Sequence, residues 1–433
     1  MRKQEHSLFY GIDRVTVLAY ALLVLMGWMN IYAAVYNEEH QNIFDTSQKY
    51  GMQLIWIGSA FFIAILILII DAGFFTVFAY FFYAFLLLAC ITVPYLGREV
   101  KGSRSWFRFG SFGIQPAEFM KFATNLALAK YLSNVNIEVD NSRRNRISDL
   151  IKNYKNTFIA VIILGLPLLI IKILQDETGL AIVFVAFIIT LYREGLSVNF
   201  LIFGLISALI FVLSLVIASQ TLIITFSIIG VLAFLFIKRS RKNFIIVSII
   251  FATASGVVLG TNYVYEHLES HQRDRIDILL GKKIDPKGKG YNVSQSKIAI
   301  GSGGFFGKGY LQGTQTKYDF VPEQDTDFIF CTVGEEWGFV GTSTVIMLEL
   351  FLIIKVIFMA ERQRSPFSRI YGYGVASVLF FHVAINVGMT IGLVPVIGIP
   401  LPFFSYGGSS LWSFTILLFI FIKLDANRLV ILR

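Results

Sequence analysis

Apolar runs of roughly twenty residues recur along the whole chain, separated by short polar breaks, and this spacing predicts membrane-crossing helices. Spans are expected at Val15–Tyr36, Gly51–Ile70, Gly73–Leu96, Gln115–Ser133, Phe158–Leu174 and Gly179–Tyr192. Six more are expected at Phe200–Ala218, Thr221–Ile237, Phe244–Thr261, Phe328–Met359, Ile370–Leu393 and Phe403–Ile422. The run at Gly179–Tyr192 is short for a full crossing. The short alternating strands of a β-barrel are absent from the pattern. The fold class is therefore an all-α polytopic integral membrane protein, with about 10–12 transmembrane helices and a large extracytoplasmic loop.

Composition agrees with the pattern. Over 433 residues the chain is 56% hydrophobic and 15% charged, with mean hydropathy +0.69, which excludes a water-soluble globular protein. Cys90 and Cys331 lie in or beside apolar runs and point to neither a disulfide framework nor a metal cluster. Met1–Arg14 is polar and basic, so no cleavable signal peptide is expected. The net charge of +9 invites nucleic acid as a partner, but its distribution argues against one. Arg2, Lys3 and Arg14, then Arg143, Arg144, Arg146, Lys152 and Lys155, then Lys238–Lys242, then Arg362, Arg364 and Arg369 all fall on one side. That side is the cytoplasm under the positive-inside rule, and both termini belong there.

Two loops then face outward. Residues 97–114 carry Arg98, Lys101, Arg104 and Arg108 against the single acid Glu99. Positive charge on the outer side opposes the topology rule, so this basic loop either contacts lipid headgroups or receives an anionic, phosphate-bearing ligand. Residues 262–327 form the second and larger outer loop.

The polar positions inside the apolar pattern are the candidates for chemistry. In the fourth span Glu118, Lys121 and Asn125 share one helical face, with Pro116 in the first turn. A charge at bilayer depth costs about 2.5–3.5 kcal/mol on insertion scales, so this face points into protein or a polar cavity. Two readings stay open: an ion pair pinning helices together, or the wall of a substrate cavity. Gln175-Asp176-Glu177 is a tight acidic turn, either a helix cap or part of a site.

The stretch Gln295–Gly338 is unusually rich in glycine, yet it lacks the GxxxxGK[ST] pattern of a P-loop. Asp327 stands where this polar loop turns into an apolar span, as a helix cap or as a reactive carboxylate, and Glu335 and Glu336 follow two turns inside. Pro395–Pro402 and the following Phe403–Ser410 predict broken helix at membrane depth, tolerated only when buried or lining a cavity.

Together these motifs resemble the SEDS family of peptidoglycan polymerases (shape, elongation, division and sporulation). The resemblance rests on Gly102-Ser103-Arg104-Ser105-Trp106, Gln115-Pro116-Ala117-Glu118 with Lys121, Thr326-Asp327-Phe328-Ile329-Phe330, and Ser405-Tyr406-Gly407-Gly408-Ser409-Ser410. Gly313-Thr314-Gln315 and Gly398-Ile399-Pro400-Leu401-Pro402-Phe403 resemble the elongation branch, RodA, rather than the division branch, FtsW. Two departures stand out. Gln175-Asp176-Glu177 replaces the family's Gln-Pro-Asp, and residues 196–262 carry three apolar runs where one is expected, suggesting an extra transmembrane hairpin.

The resemblance implies a glycosyltransferase that joins lipid II units into glycan strands on the outer face of the cytoplasmic membrane, for cell elongation and rod shape. It implies Asp327 as the catalytic base, with Arg104, Trp106, Glu118, Lys121, Glu177, Lys308, Thr314 and Ser405 as substrate-binding residues. No cofactor is certain, and a divalent cation, Mg2+ or Mn2+, is possible at the pyrophosphate. The implied partners are a class B penicillin-binding protein and other elongation-complex proteins. A lipid II flippase and a noncatalytic scaffold are the alternatives from other classes.

Overall fold

The computed structural model describes residues 11–36, 42–100, 103–109, 112–135, 147–236, 240–268, 273, 277, 289–318 and 320–428. Arg2, Lys3, Lys101, Gly102, Arg143, Arg144, Arg146, Lys238 and Arg239 from the sequence analysis lie outside the described residues. The chain forms two compact units, Met1–Gly195 with Tyr291–Arg433, and Leu196–Gly290. Among the described residues nine helices are long and apolar enough to cross a membrane.

The first unit opens with α1 (Arg14–Ala34), capped by the Asp13 side chain, which accepts from Thr16 N at 3.1 Å. Next comes α2 (Lys49–Ile69). The third expected span is two helices, α3 (Ala72–Val77) and α4 (Ala79–Leu96), with Phe78 at φ −88°, ψ 9° breaking the run. The basic loop is not irregular: β1 (Arg98–Val100), β2 (Ser103–Phe109) and β3 (Phe112–Ile114) form a small antiparallel sheet in the order β1-β2-β3.

Helix α5 (Pro116–Ser133) is absent from the nine apolar helices because Glu118, Lys121, Thr124 and Asn125 lower its hydropathy. All four are buried, because α5 runs through the middle of the unit and leaves little surface for lipid. Ala117, Ala123, Ala127 and Ala129 let its neighbours approach closely. The chain continues through α6 (Ile147–Gln175), then a crossing broken into α7 (Thr178–Val183), a 3₁₀ turn over Phe184–Ala186 and α8 (Phe187–Arg193).

The second unit is α9 (Val198–Val216), α10 (Ser219–Phe236) and α11 (Arg241–His267). Both α9 and α10 pack on α11 around Ile210, Leu222 and Val258.

The first unit resumes at Tyr291, within α12 (Lys289–Gly303), so the expected outer loop is partly helical, and continues to a short α13 (Thr314–Lys317). Helix α14 (Ile329–Glu361) is interrupted at Gly338, whose φ 62°, ψ −154° is non-helical. Helices α15 (Pro366–Thr390) and α16 (Gly408–Ala426) complete the unit and pack against α5. The last span starts later than the sequence predicts: Phe403 at φ 59° and Gly407 at φ 151° keep Phe403–Gly407 out of the helix.

At the end of this unit opposite the sheet, acids pair with the basic residues. Arg193 meets Glu361 at 3.2 Å, Arg369 meets Glu194 at 3.0 Å, and Arg362 meets Asp425 at 2.5 Å. Lys355 and Arg362 also converge on Asp13, at 3.3 and 3.4 Å.

Candidate active site

The glycine-rich stretch is explained by the broken helix. At the Gly338 break the carbonyls of Glu335 and Glu336 accept from Lys308 N and Gly309 N, both at 3.0 Å. On the other side of the break, Phe339 N and Val340 N donate to the Gly304 and Phe305 carbonyls at 3.0 and 3.2 Å. Backbone groups freed at membrane depth are thus satisfied by the loop. The approach leaves no room for side chains: at Gly307 (φ +81°) a Cβ would sit 2.1 Å from the Glu336 carbonyl oxygen. Gly303, Gly307 and Gly338 pack backbone on backbone in this way.

Glu335 finishes this structure. Its Oε1 accepts from Lys308 Nζ at 2.6 Å and from the N–H groups of Thr314 and Gln315 at 2.8 Å, while Oε2 accepts from Thr316 N at 2.9 Å. A fully buried carboxylate therefore sits on the N-terminal N–H groups of α13. Lys308 and Thr314, expected to bind substrate, both bond to Glu335 and tie the loop to α14.

Asp327 lies in the turn that precedes α14 and is half-buried. In α14 Phe328 occupies the N-cap position and makes no side-chain cap bond, while Thr326 donates its hydroxyl to Glu323. The peptide around Asp327 is clasped at three successive carbonyls. Tyr406 N donates to Asp325 O at 2.9 Å, Ser405 Oγ to Thr326 O at 2.6 Å, and Asn386 Nδ2 to Asp327 O at 2.8 Å. Ser405 is buried at 4% exposure and braces this turn.

The sheet supplies a basic face. In β2, Arg104, Trp106 and Arg108 alternate on one side, and Arg98 is the cross-strand partner of Trp106. Arg98, Arg104 and Arg108 are exposed, and Glu99 lies 3.6 Å from Arg104. The other side of β2 grips the acidic turn: Ser105 Oγ donates to Glu177 Oε1 at 2.8 Å, and Ser103 Oγ to Gln175 O at 2.9 Å.

Two routes bring this sheet to Asp327. Glu177 starts α7, whose Gly179 lies against the Ile397 carbonyl, and Gly398 beside it lies against Asp327 Oδ2. Ser409, at the start of α16, accepts from Gln115 N at 3.2 Å and donates to Gly113 O at 3.1 Å, while Ser405 four residues earlier holds Thr326.

Glu118 and Lys121 sit deeper. Lys121 Nζ donates to Glu118 Oε2 at 2.6 Å and approaches His382 Nε2 at 3.3 Å, with the Phe414 ring 4.0 Å away. His382 Nδ1 lies 3.1 Å from the Pro400 carbonyl, which can only accept. The proton is therefore on Nδ1, and Nε2 accepts from Lys121. Lys121 is fully buried: its ion pair with Glu118 lies within α5, and its hydrogen bond to His382 ties α5 to α15.

Sequence reasoning missed His382 and Asn386. They stand four residues apart on α15, and that i, i+4 polar pair in an apolar span was the available signal. Among the described residues no group of three or more His, Cys, Asp or Glu is arranged to hold a metal ion.

The family model described as a cell cycle protein, FtsW/RodA/SpoVE, matches residues 13–226 and 205–429. The chain is 31% identical to peptidoglycan glycosyltransferase RodA of Treponema pallidum (strain Nichols), covering 96% of this chain and 98% of that one. It is 30% identical to peptidoglycan glycosyltransferase MrdB of Escherichia coli (strain K12), over 76% of this chain and 72% of that one. A chain from a peptidoglycan synthase complex, solved to describe the coordination of polymerization and crosslinking, superposes with TM-score 0.69 at 25% identity, covering 96% and 98% of the two chains. The rod shape determining protein RodA of Thermus thermophilus shares the fold at TM-score 0.58 and 23% identity, with 96% and 97% covered. This chain is a membrane protein, and it belongs to the FtsW/RodA/SpoVE family.

Proposed function

We propose that this chain is a peptidoglycan glycosyltransferase of the elongation type, polymerising lipid II at the outer face of the cytoplasmic membrane. The observation that carries the reading is full-length similarity to a RodA glycosyltransferase, with Asp327 and the basic sheet face brought to one end of the unit.

The chemistry needs one base and one cationic surface. Asp327 takes the proton from the acceptor sugar hydroxyl, whose oxygen attacks the anomeric carbon of the donor. The bond to pyrophosphate breaks with inversion, and the undecaprenyl pyrophosphate leaves carrying the electron pair. Arg104, with Arg98 and Arg108 on the same face, stabilises the charge that develops on that leaving group. Trp106 between them offers an apolar surface to the sugar or lipid. Paired carboxylates of the glycosidase kind are unnecessary, because pyrophosphate leaves without a general acid.

In this reading the termini are cytoplasmic, following the basic clusters, and a class B penicillin-binding protein crosslinks the product. The test is purified protein reconstituted with labelled lipid II, with and without that partner. Glycan chains lengthening with time are expected. Transfer of labelled lipid II across vesicles with no glycan formed would make the chain a flippase and overturn the proposal.

A further inference from the structure

The side chain of Asn386 is completely buried in α15, one turn beyond His382, and its amide donates to two carbonyls: Asp327 O at 2.8 Å and Ile399 O at 2.7 Å. Its own Oδ1 is buried and has no partner among the described residues. The donors alone therefore set the orientation of the amide. Turning it over would aim an oxygen at two carbonyl oxygens, and aspartate at this position would do the same with a charge.

What this amide joins is the turn bearing Asp327 and the irregular loop Val396–Pro402. That loop forms one wall of the carboxylate, since a Cβ on Gly398 would lie 3.2 Å from Asp327 Oδ2. His382 holds the next carbonyl of the same loop, Pro400. Two side chains of one rigid, buried helix thus fix both the peptide of Asp327 and the backbone facing its carboxylate.

We propose that Asn386 is the positioning residue for Asp327: it locks the Asp327 turn to the Gly398–Ile399 wall and so aims the carboxylate at the acceptor hydroxyl. The inference rests on Asp327 being the base in the reading above. An unheld carboxylate still meets substrate but spends less time in the reactive geometry, and misplacement near 1 Å costs about 10²-fold. Loss of Asn386 therefore lowers kcat and leaves KM nearly alone.

The test compares Asn386→Ala, Gly398→Ala, Asp327→Asn and the double variant Asn386→Ala/Asp327→Asn in lipid II polymerisation by the full chain in detergent. Each protein is first checked for a single size-exclusion peak. Asn386→Ala is expected to lower kcat by about 10- to 100-fold, with KM changed less than about twofold. Adding it to Asp327→Asn lowers the residual rate no further, whereas a general folding defect would lower both backgrounds equally.

If Asn386→Ala does not fold, Gly398→Ala disturbs the same carboxylate from the loop side and is expected to give the same kcat-only loss. Wild-type kcat in either folded variant, or a loss in KM alone, overturns the positioning role. Wild-type rate in Asp327→Asn is a different result, because it removes the base itself and with it the mechanism.

Discussion

Replacing Lys121 by Met keeps the buried stem and removes only the ammonium. The structure says what is then left behind: a Glu118 carboxylate at 3% exposure that has lost its 2.6 Å partner, and a His382 Nε2 that has lost its donor. Removing one partner of a buried pair costs about 3–5 kcal/mol, and the orphaned imidazole nitrogen adds about 1 kcal/mol. The expected loss for Lys121→Met is thus about 4–6 kcal/mol. The double variant Glu118→Gln/Lys121→Met removes both charges and should recover most of it, finishing within about 2 kcal/mol of the original. The assay is reversible unfolding from mild detergent by sodium dodecyl sulfate, followed by tryptophan fluorescence. Equal stability of the single variant and the parent would refute the pinning role, as would a double variant no more stable than Lys121→Met.

Glu335→Gln should weaken the loop selectively, because the neutral side chain loses its charge-assisted bonds to Lys308 and to three N–H groups. Hydrogen exchange is expected to rise about tenfold or more over residues 308–317 with little change in α5, corresponding to a local loss near 1.4 kcal/mol. Gly307→Ala forces a side chain into a positive φ and against the Glu336 carbonyl, so a loss above about 2 kcal/mol is expected in the same unfolding assay. Arg104→Ala, at an exposed position, should leave stability within about 0.5 kcal/mol and lower kcat for lipid II in steady-state polymerisation, since it removes charge that stabilises the departing pyrophosphate.

The spans were legible because a membrane demands length and apolarity, and both can be counted in a sequence. Glu118, Lys121 and Asp327 were legible for the opposite reason, as polar residues where lipid would penalise them. The sheet at 98–114 was available in the two-residue alternation of Arg104, Trp106 and Arg108, but three short strands give little pattern to count. The roles of Lys308 and Thr314 depend on Glu335, which is more than twenty residues away from Thr314 and meets it only because α14 breaks at Gly338. No local pattern encodes that contact. Ser405 was found through its motif, yet its burial against Thr326 gives it a bracing role that composition could not reveal. His382 and Asn386 were hidden by an otherwise apolar helix.

The central claim is that Asp327 acts as the base in glycan polymerisation. Its most direct test is single-turnover coupling of labelled lipid II by purified, folded Asp327→Asn protein beside the parent, with both loaded to the same extent with substrate. Neutralising the base should slow coupling by about 10²–10⁴ while binding is kept. Coupling at the parent's rate would contradict it.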